Sequence, residues 1–490
     1  MTRITLEGTR ARREQPMLAW SGFLTIGVIL ALLLTNRVAA VVALVAVPII
    51  FALITGYSLG EIGGFVSDGL GGVVGVTVMF VFAITYFGIM RDAGMFDPII
   101  KRIVRWAGNA PATICVATTA LALVAHLDGA GATTFLVTIP AMMPLFDRLG
   151  MSRLTLTVCV GMGAGTMNLL PWAGPTARAA ATTNVSANDL WVPLIPAQIV
   201  GMLAALGIAW FLGKREQRRI GTTRLESGTR QSVDSEKKET SAVSASTAAE
   251  ARGGENTHPS NVAQSETASM VLTAEESELR RPKLLWFNAL LTLVLLVCLV
   301  VGVAPPEMLF LMAAVIALVV NYPGLKKQTA RIEAHATGAM LMATTLLAAG
   351  SFLGVLEGSG MITAMAEATA SAVPAGAAPA LPLIAGLLGV PLSLLFGPDA
   401  YYFGVLPVLN ALGAQYGVSA VEIAQASLLG QETVGFPISP LTGSFYLLVG
   451  LAKVDIGKHI RALFGWAWLL SIIMLVTALL TGVISIGVGS

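Results

Sequence analysis

The amino-acid sequence predicts an all-α polytopic membrane protein built from two inverted repeats. Three observations lead to this fold class: the composition, the spacing of the apolar segments, and a pair of similar motifs in the two halves. Of the 490 residues, 55% are hydrophobic and 12% are charged, and the mean hydropathy is +0.78, which is far too apolar for a soluble globular protein. The formal net charge of +2 gives no reason to expect a nucleic-acid partner.

Apolar segments of about 17 to 25 residues, the length that spans a bilayer as a helix, recur along both halves. In the first half we predict spans at residues 17–34, 38–55, 73–92, 154–170 and 191–213. In the second half we predict spans at residues 284–303, 306–322, 338–356, 420–450 and 462–486. Re-entrant hairpins are predicted at residues 111–147 and 379–412. Because each half has five spans, an odd number, the second half is expected to be inverted relative to the first.

The predicted spans divide the chain into four regions. Residues 1–16 form a polar N-terminal tail, residues 17–213 the first transmembrane repeat, and residues 284–490 the second, inverted repeat. Residues 214–283 lack an apolar period and begin and end with basic residues, so we predict a disordered cytoplasmic linker. The basic stretches place the mouth of the first hairpin on the cytoplasmic side. The same tally places the N-terminus outside, although its arginines alone would favour the inside.

Two Gly-rich stretches that each carry one aspartate mark the hairpin tips. The first is HLDGAGATT at residues 126–134, and the second is FGPDAYYF at residues 396–403. Carboxylates inside membrane segments are rare and usually functional. Irregular backbone at membrane depth is tolerated only where protein or a watery cavity covers it. About forty residues after each tip a proline-rich break follows, PWAGPT at 171–176 and PISPLT at 437–442. This pairing is the strongest functional signal in the chain.

Tips and breaks that meet near the membrane midplane would form one central anion site, because helix N-termini at a break present free N–H donors. The carboxylates of Asp128 and Asp399 would repel an anion unless they bind a proton or a divalent cation such as Mg²⁺ or Ca²⁺. We therefore expect these two aspartates to hold the metal or the coupling proton. The candidate site residues are Asp128, Gly129, Gly131, Thr133, Thr134, Asn168, Pro171, Gly174, Pro175, Thr176, Asp399, Tyr401, Glu432, Ser439, Pro440 and Thr442.

Structural roles compete with these assignments. Asp128 could cap a helix at the tip, and Tyr401 could be a packing aromatic. The polar side chains at the breaks could bind a ligand or only satisfy freed backbone groups. Glu432 is assigned to the site because charges inside membranes are rare. For Arg178, directly after the first break, we favour a position at the external interface.

Several motifs resemble the bacterial symporters of citrate complexed to a divalent metal, the CitMHS type of the ion transporter superfamily. They are LDGAGATT, TIPAMMPLFDRLGM, PWAGPTARAA, PDAYYFGVLPVL and SPLTGSFYLLVGLA, which lie in both halves. The resemblance implies citrate bound to Mg²⁺ or Ca²⁺ as substrate, taken up with protons through the cytoplasmic membrane. The divalent cation is then part of the substrate complex, and no permanently bound cofactor is implied. The resemblance also implies a homodimer and an elevator mechanism, in which a mobile domain carries both hairpins across the bilayer.

Other function classes remain open. The chain could carry an uncomplexed carboxylate or another small organic anion, or it could be an ion channel. An enzyme is not expected, because no H-E-x-x-H motif occurs.

Overall fold

The computed structural model describes residues 2–35, 37–242, 274–370 and 378–485. Every regular element in these ranges is helical, which confirms the predicted helical class. Seven of the described helices are long and apolar enough to cross a membrane, and shorter apolar helices accompany them. The chain is therefore a multi-pass helical membrane protein.

The first half contains the helices that carry the first tip and the first break. They are α1 Thr2–Leu34, α2 Ala40–Ile54, α3 Leu59–Asp92, α4 Asp97–Ala107, α5 Pro111–Ala125, α6 Gly131–Arg148, α7 Arg153–Met167, α8 Gly174–Thr183, α9 Ala187–Trp191 and α10 Ile195–Ala242.

The second half follows a similar order. Its helices are α11 Ala274–Leu279, α12 Leu285–Val301, α13 Pro306–Asn321, α14 Leu325–Gly358, α15 Met361–Ala370, α16 Leu381–Leu392, α17 Pro398–Ala400, α18 Leu406–Ala414, α19 Ala420–Leu428, α20 Gly443–Ala452 and α21 Ile456–Leu480. A π-helical segment, Tyr401–Val405, joins α17 to α18.

Helix α3 is much longer than the span predicted at residues 73–92. The Gly-rich stretch that lies between the predicted spans 38–55 and 73–92 forms its N-terminal part. Ser58 and Glu61 form a capping box there, each side chain accepting a hydrogen bond from the other residue's backbone N–H. This box satisfies donors that would otherwise be unpaired at a helix start. Helices α14 and α21 also begin earlier than predicted, at Leu325 and Ile456.

The predicted tail and linker are partly helical. Helix α1 includes most of residues 1–16, and α10 runs on to Ala242, into the segment expected to be disordered. Residues in the first turns of that segment pack on the protein: Glu216 is 8% exposed and accepts hydrogen bonds from the Ser152 backbone N–H and the Thr155 hydroxyl. The helix continues because Lys, Arg, Glu and Gln are good helix formers. Residues 243–273, the rest of the predicted linker, lie outside the described residues.

Helices α3 and α14 cross at glycines and run antiparallel. A Cβ atom on Gly69, early in α3, would lie 2.1 Å from the carbonyl oxygen of Gly350, late in α14. A Cβ atom on Gly88, late in α3, would lie 2.6 Å from the His335 ring, early in α14. Small residues let membrane helices approach this closely. Gly69 and Gly88 are thus explained by the close approach of α3 and α14.

The irregular segments fall where the tips and breaks were predicted. Helices α5 and α6 pack against each other and are separated by a 3-10 turn at His126–Asp128 and by Gly129, whose φ is 72°. The first break separates α7 from α8, and the second separates α19 from α20. Helix α7 contacts α20, and α8 contacts α19. The two breaks therefore lie side by side inside the bundle.

Candidate functional site

A cavity of about 460 Å³ lies where the first tip, both breaks and the crossing helices α3 and α14 meet. We call it the central cavity. Its polar and charged lining residues are Arg91, Asp128, Thr133, Asn168, Arg178, His335, Glu432, Thr442 and Ser444. Apolar lining includes Phe80, Ile84, Trp172, Met342 and Phe436. The volume is typical of small-molecule sites, which occupy about 300 to 1,000 Å³.

The first tip is held against the first break by backbone contacts. The Asp128 carboxylate accepts a hydrogen bond from the Ala130 N–H at 2.9 Å, which fixes the turn. The Trp172 indole N–H donates to the Leu127 carbonyl at 2.8 Å. A Cβ atom on Gly129 would lie 2.9 Å from the Trp172 carbonyl oxygen. The backbone of the tip can approach the break this closely because position 129 is glycine.

An arginine from α3 reaches the first tip. The Arg91 guanidinium donates a hydrogen bond to the Thr133 hydroxyl at 2.9 Å and lies 3.6 Å from the Asp128 carboxylate. The side chain of Arg91 is 39% exposed, and that of Asp128 is 9% exposed. Arg91 begins the basic stretch at residues 91–105, which its charge predicts at the cytoplasmic interface, and it also lines the central cavity.

The second tip is also paired with an arginine. The Arg178 Nε–H donates to the Asp399 carboxylate at 2.6 Å, and its Nη1 donates to the Gly174 carbonyl at 3.0 Å. Arg178 is only 8% exposed, so the external position favoured from the sequence is wrong. The second tip contributes Pro398 to the cavity lining. Asp399 itself is not part of the lining and contacts the lining residue Arg178 through their ion pair.

A buried hydrogen-bonded chain joins the first tip to both breaks. The His126 ring is hydrogen-bonded to the Thr134 hydroxyl at 2.7 Å and to the Asn168 side-chain oxygen at 3.2 Å. Asn168 donates to the backbone carbonyl of Glu432 at 2.8 Å. A neutral imidazole satisfies this chain by accepting from Thr134 and donating to Asn168. The ring also stacks on Phe436, with 5.5 Å between ring centroids.

Glu432 differs from both aspartates. It is 1% exposed, it lines the central cavity, and neither carboxylate oxygen has a hydrogen-bond partner. Its φ of 53° lies in the left-handed region, which is uncommon for a residue with a side chain. The backbone N–H donates to the Ser393 hydroxyl at 2.9 Å, which helps to hold this conformation. The buried hydroxyl of Ser439 is likewise without a partner.

The predicted site residues divide into two groups. Those that line the central cavity are Asp128, Gly129, Gly131, Thr133, Asn168, Gly174, Pro175, Glu432 and Thr442. Those that are not part of its lining are Thr134, Pro171, Thr176, Asp399, Tyr401, Ser439 and Pro440. Tyr401 is hydrogen-bonded to Ser427, and Thr176 donates to the Leu169 carbonyl, so both side chains stabilise the surrounding helices.

Sequence reasoning missed the contributions of α3 and α14. Ile84, Gly88 and Arg91 line the cavity from one face of α3, and His335, Gly338 and Met342 line it from one face of α14. These spacings of three, four and seven residues place the side chains on one helix face. The same spacing in the sequence could have identified Arg91. His335 is anchored beside the cavity by Asp92, whose carboxylate oxygen lies 2.9 Å from its ring nitrogen.

The cavity combines opposite charges at short range. Two guanidinium groups suit carboxylates, which they can bind in a planar, two-point geometry. Each guanidinium also lies beside an aspartate. Among the described residues no group of three His, Cys, Asp or Glu side chains forms a cage for a metal ion. A cation could bind here most readily if its ligand brought further oxygen atoms.

Comparisons with known proteins agree with one another. A family model described as CitMHS, citrate transporter, matches residues 13–430. A citrate transporter and a Mg²⁺/citrate complex secondary transporter, both of Bacillus subtilis (strain 168), are 39% and 40% identical to this chain. Each alignment covers 96% of this chain and 100% of the relative. An uncharacterized transporter of the same organism, YraO, is 33% identical with the same coverage.

The fold has a counterpart among solved structures. The YdaH transporter of Alcanivorax borkumensis, whose topology is described as unusual, matches with a TM-score of 0.55. The match covers 96% of this chain and 98% of that one, at 15% sequence identity. At this identity the likeness concerns the fold alone.

Proposed function

Because the chain belongs to the CitMHS family of citrate transporters, which the motifs of both halves predicted, we propose that it takes up citrate complexed to a divalent cation, together with protons. The family and these relatives are transporters, so the chain is a transporter and not an enzyme. One relative is described as carrying the Mg²⁺/citrate complex. That description is the reason to propose a metal complex here as well.

The observation that carries the proposal is the pairing of each cavity arginine with an aspartate. A citrate complex presents a cation and carboxylates close together, and it retains net negative charge. Arg91 and Arg178 can bind the carboxylates, while Asp128 can add an oxygen ligand to the cation, since Mg²⁺ and Ca²⁺ prefer oxygen. The metal is then part of the transported substrate, and citrate supplies most of its ligands. A free carboxylate would gain from the arginines but would be repelled by Asp128.

We also propose that the two halves are inverted repeats. Helices α3 and α14 occupy equivalent places in the two element orders, and they run antiparallel. Helices α8 and α20, which follow the two breaks, end at Asn184 and Lys453, with φ of 52° and 55°. Left-handed residues with a side chain are uncommon, so their recurrence supports a common plan. An elevator cycle in a homodimer of the cytoplasmic membrane is proposed on the family resemblance.

Uptake of labelled citrate into proteoliposomes tests the proposal. An inward proton gradient should drive saturable accumulation with Mg²⁺ or Ca²⁺ outside, and labelled Ca²⁺ should enter together with citrate. Chelation of the metal should stop uptake. Equal uptake with a chelator would instead identify a carrier of uncomplexed carboxylate, which the two arginines alone would also suit. Flux that does not saturate with citrate would favour a channel.

A further inference from the structure

Three carboxylates surround the central cavity, and their surroundings differ. Asp128 lies beside Arg91 and accepts a backbone hydrogen bond. Asp399 is paired with Arg178 at 2.6 Å. Glu432 has no hydrogen-bond partner for either oxygen and is the most buried of the three. An ionised carboxylate in such a place loses its hydration without compensation, so Glu432 is the group whose charge is least supported.

We propose that Glu432 carries the coupling proton, and that Ser439 is the hydroxyl that serves its carboxyl group. This inference rests on the proposed function and assigns the coupling to a residue. From the sequence, Asp128 and Asp399 were expected to have this role. Asp128 has Arg91 and a backbone N–H beside it, and Asp399 is paired with Arg178. Glu432 is therefore the carboxylate whose charge has no such partner.

A proton fits this place better than a divalent cation does. Mg²⁺ needs about six oxygen ligands in near-octahedral order. The Ser439 hydroxyl lies within reach of the Glu432 carboxylate, and neither group has another hydrogen-bond partner. The Asp399 carboxylate is already engaged by Arg178. A protonated carboxyl group needs only one acceptor for its proton, and the Ser439 hydroxyl can be that acceptor.

The groups that face Glu432 from neighbouring elements explain how a proton could be coupled to the anion. Arg178 on α8 lines the same cavity as Glu432 and is paired with Asp399 on α17. The hydroxyl of Tyr402, in the π-helical segment, donates to the carbonyl of Gln431, the residue before Glu432. Asn168 donates a hydrogen bond to the Glu432 backbone carbonyl, and its side-chain oxygen is bonded to the His126 ring. Both ring nitrogens of His126 are already hydrogen-bonded, to Thr134 and to Asn168. Arg178 is therefore the cation whose availability depends on Glu432.

When Glu432 is ionised, its negative charge competes with the substrate for Arg178. Protonation removes that charge, so the cavity becomes more positive by one unit and binds citrate carboxylates more tightly. Coupling between two ligands is reciprocal, so bound citrate must favour the bound proton to the same degree. Binding both together and releasing both together is symport.

Glu432→Gln is the matched test, because the amide keeps the size of the side chain and mimics its protonated form. In proteoliposomes we expect this variant to lose citrate accumulation driven by a pH gradient while exchange of internal for external citrate persists. Citrate affinity of the wild type should fall as pH rises, by roughly 5- to 150-fold if the coupling is of usual size. In the variant it should stay constant. Glu422→Gln is the control, since Glu422 is bonded to Ser485 away from the cavity.

Retained proton-driven accumulation in Glu432→Gln would overturn the proposal. Loss of exchange that high metal concentration restores would also overturn it, because it would identify a metal ligand. A measurement on the unaltered protein covers the case in which the variant does not fold. Dicyclohexylcarbodiimide reacts with protonated carboxyl groups in apolar surroundings, so we expect an adduct on Glu432 that declines at high pH. Absence of that adduct would refute the assignment, even if the protein does not transport citrate and the proposed function fails.

Discussion

Arg178 offers a test that separates substrate binding from structural pairing. Its ion pair with Asp399 is largely buried, with side-chain exposures of 10% and 27%. Removal of one partner from a buried pair costs about 3 to 5 kcal/mol. Because the Asp399 side chain is 27% exposed, solvent screening lowers this cost, and Arg178→Gln should cost ~2 to 3 kcal/mol in stability, somewhat below that range.

The double variant Arg178→Gln, Asp399→Asn distinguishes a structural role of Arg178 from a role in substrate binding. Asp399→Asn removes the unpaired carboxylate, so the double variant should recover most of the thermal stability. Citrate uptake should not recover, because a guanidinium that binds a substrate carboxylate is still absent. A loss of ~2 to 3 kcal/mol in transition-state binding corresponds to a fall in uptake rate per KM of roughly 30- to 150-fold.

Two measurements on the same purified variants suffice: the melting midpoint by tryptophan fluorescence, and initial citrate uptake at low substrate concentration. The exposed pair Arg153 and Asp147 provides the control. Arg153→Gln should leave both the melting midpoint and the uptake nearly unchanged, because exposed ion pairs contribute little to stability. Recovery of uptake together with stability in the double variant would refute a substrate contact and reduce Arg178 to a partner for Asp399.

Three further predictions concern the fold. Gly69→Ala places a methyl group 2.1 Å from the Gly350 carbonyl oxygen, so it should sharply lower the yield of folded protein in the membrane. Gly63→Ala, whose methyl group would meet nothing within 4 Å, should not lower it. Equal yields of the two variants in detergent size-exclusion chromatography would contradict the close crossing. If the repeats are inverted, an impermeant thiol reagent outside the cell should label a cysteine at Pro379 but not one at Pro111, and equal labelling of both would count against inversion. Replacement of residues 243–273 by a flexible linker of similar reach should leave citrate uptake intact, because their sequence has no apolar period with which to form a core; loss of uptake by a variant still present in the membrane would assign them a function.

The sequence predicted the irregular segments well because their signals are local. A Gly-rich stretch with one aspartate and a proline-rich break are visible without a partner. Both tips and both breaks lie where they were expected, and Asp128, Asn168 and Glu432 line one cavity. Burial and helix breaking are properties of single segments, so a single sequence can report them.

Contacts between helices were not predictable in the same way. The predicted span at residues 73–92 leaves out Gly69, because its contact with Gly350 of α14 involves a residue more than two hundred positions away. Arg91 was expected at the interface from the basic stretch that it begins, and Arg178 from its place after the first break; neither signal shows which way a side chain points. Likewise, the Glu432 carboxylate lacks a hydrogen-bond partner because of how all the surrounding side chains are placed, and no local sequence pattern shows this.

The two arginine pairs differ in what they connect, and this bears on the proposed transport cycle. Arg178 on α8 and Asp399 on α17 belong to the breaks and tips, which would move together in an elevator. Arg91 belongs to α3, which is packed along its length against α14 and tied to it by the pair of Asp92 and Arg331. Any movement of the first tip relative to α3 must therefore break the contacts of Arg91 with Asp128 and Thr133. A substrate that replaces those contacts lowers the cost of that movement, so substrate binding and release of the tip from α3 are coupled in this geometry.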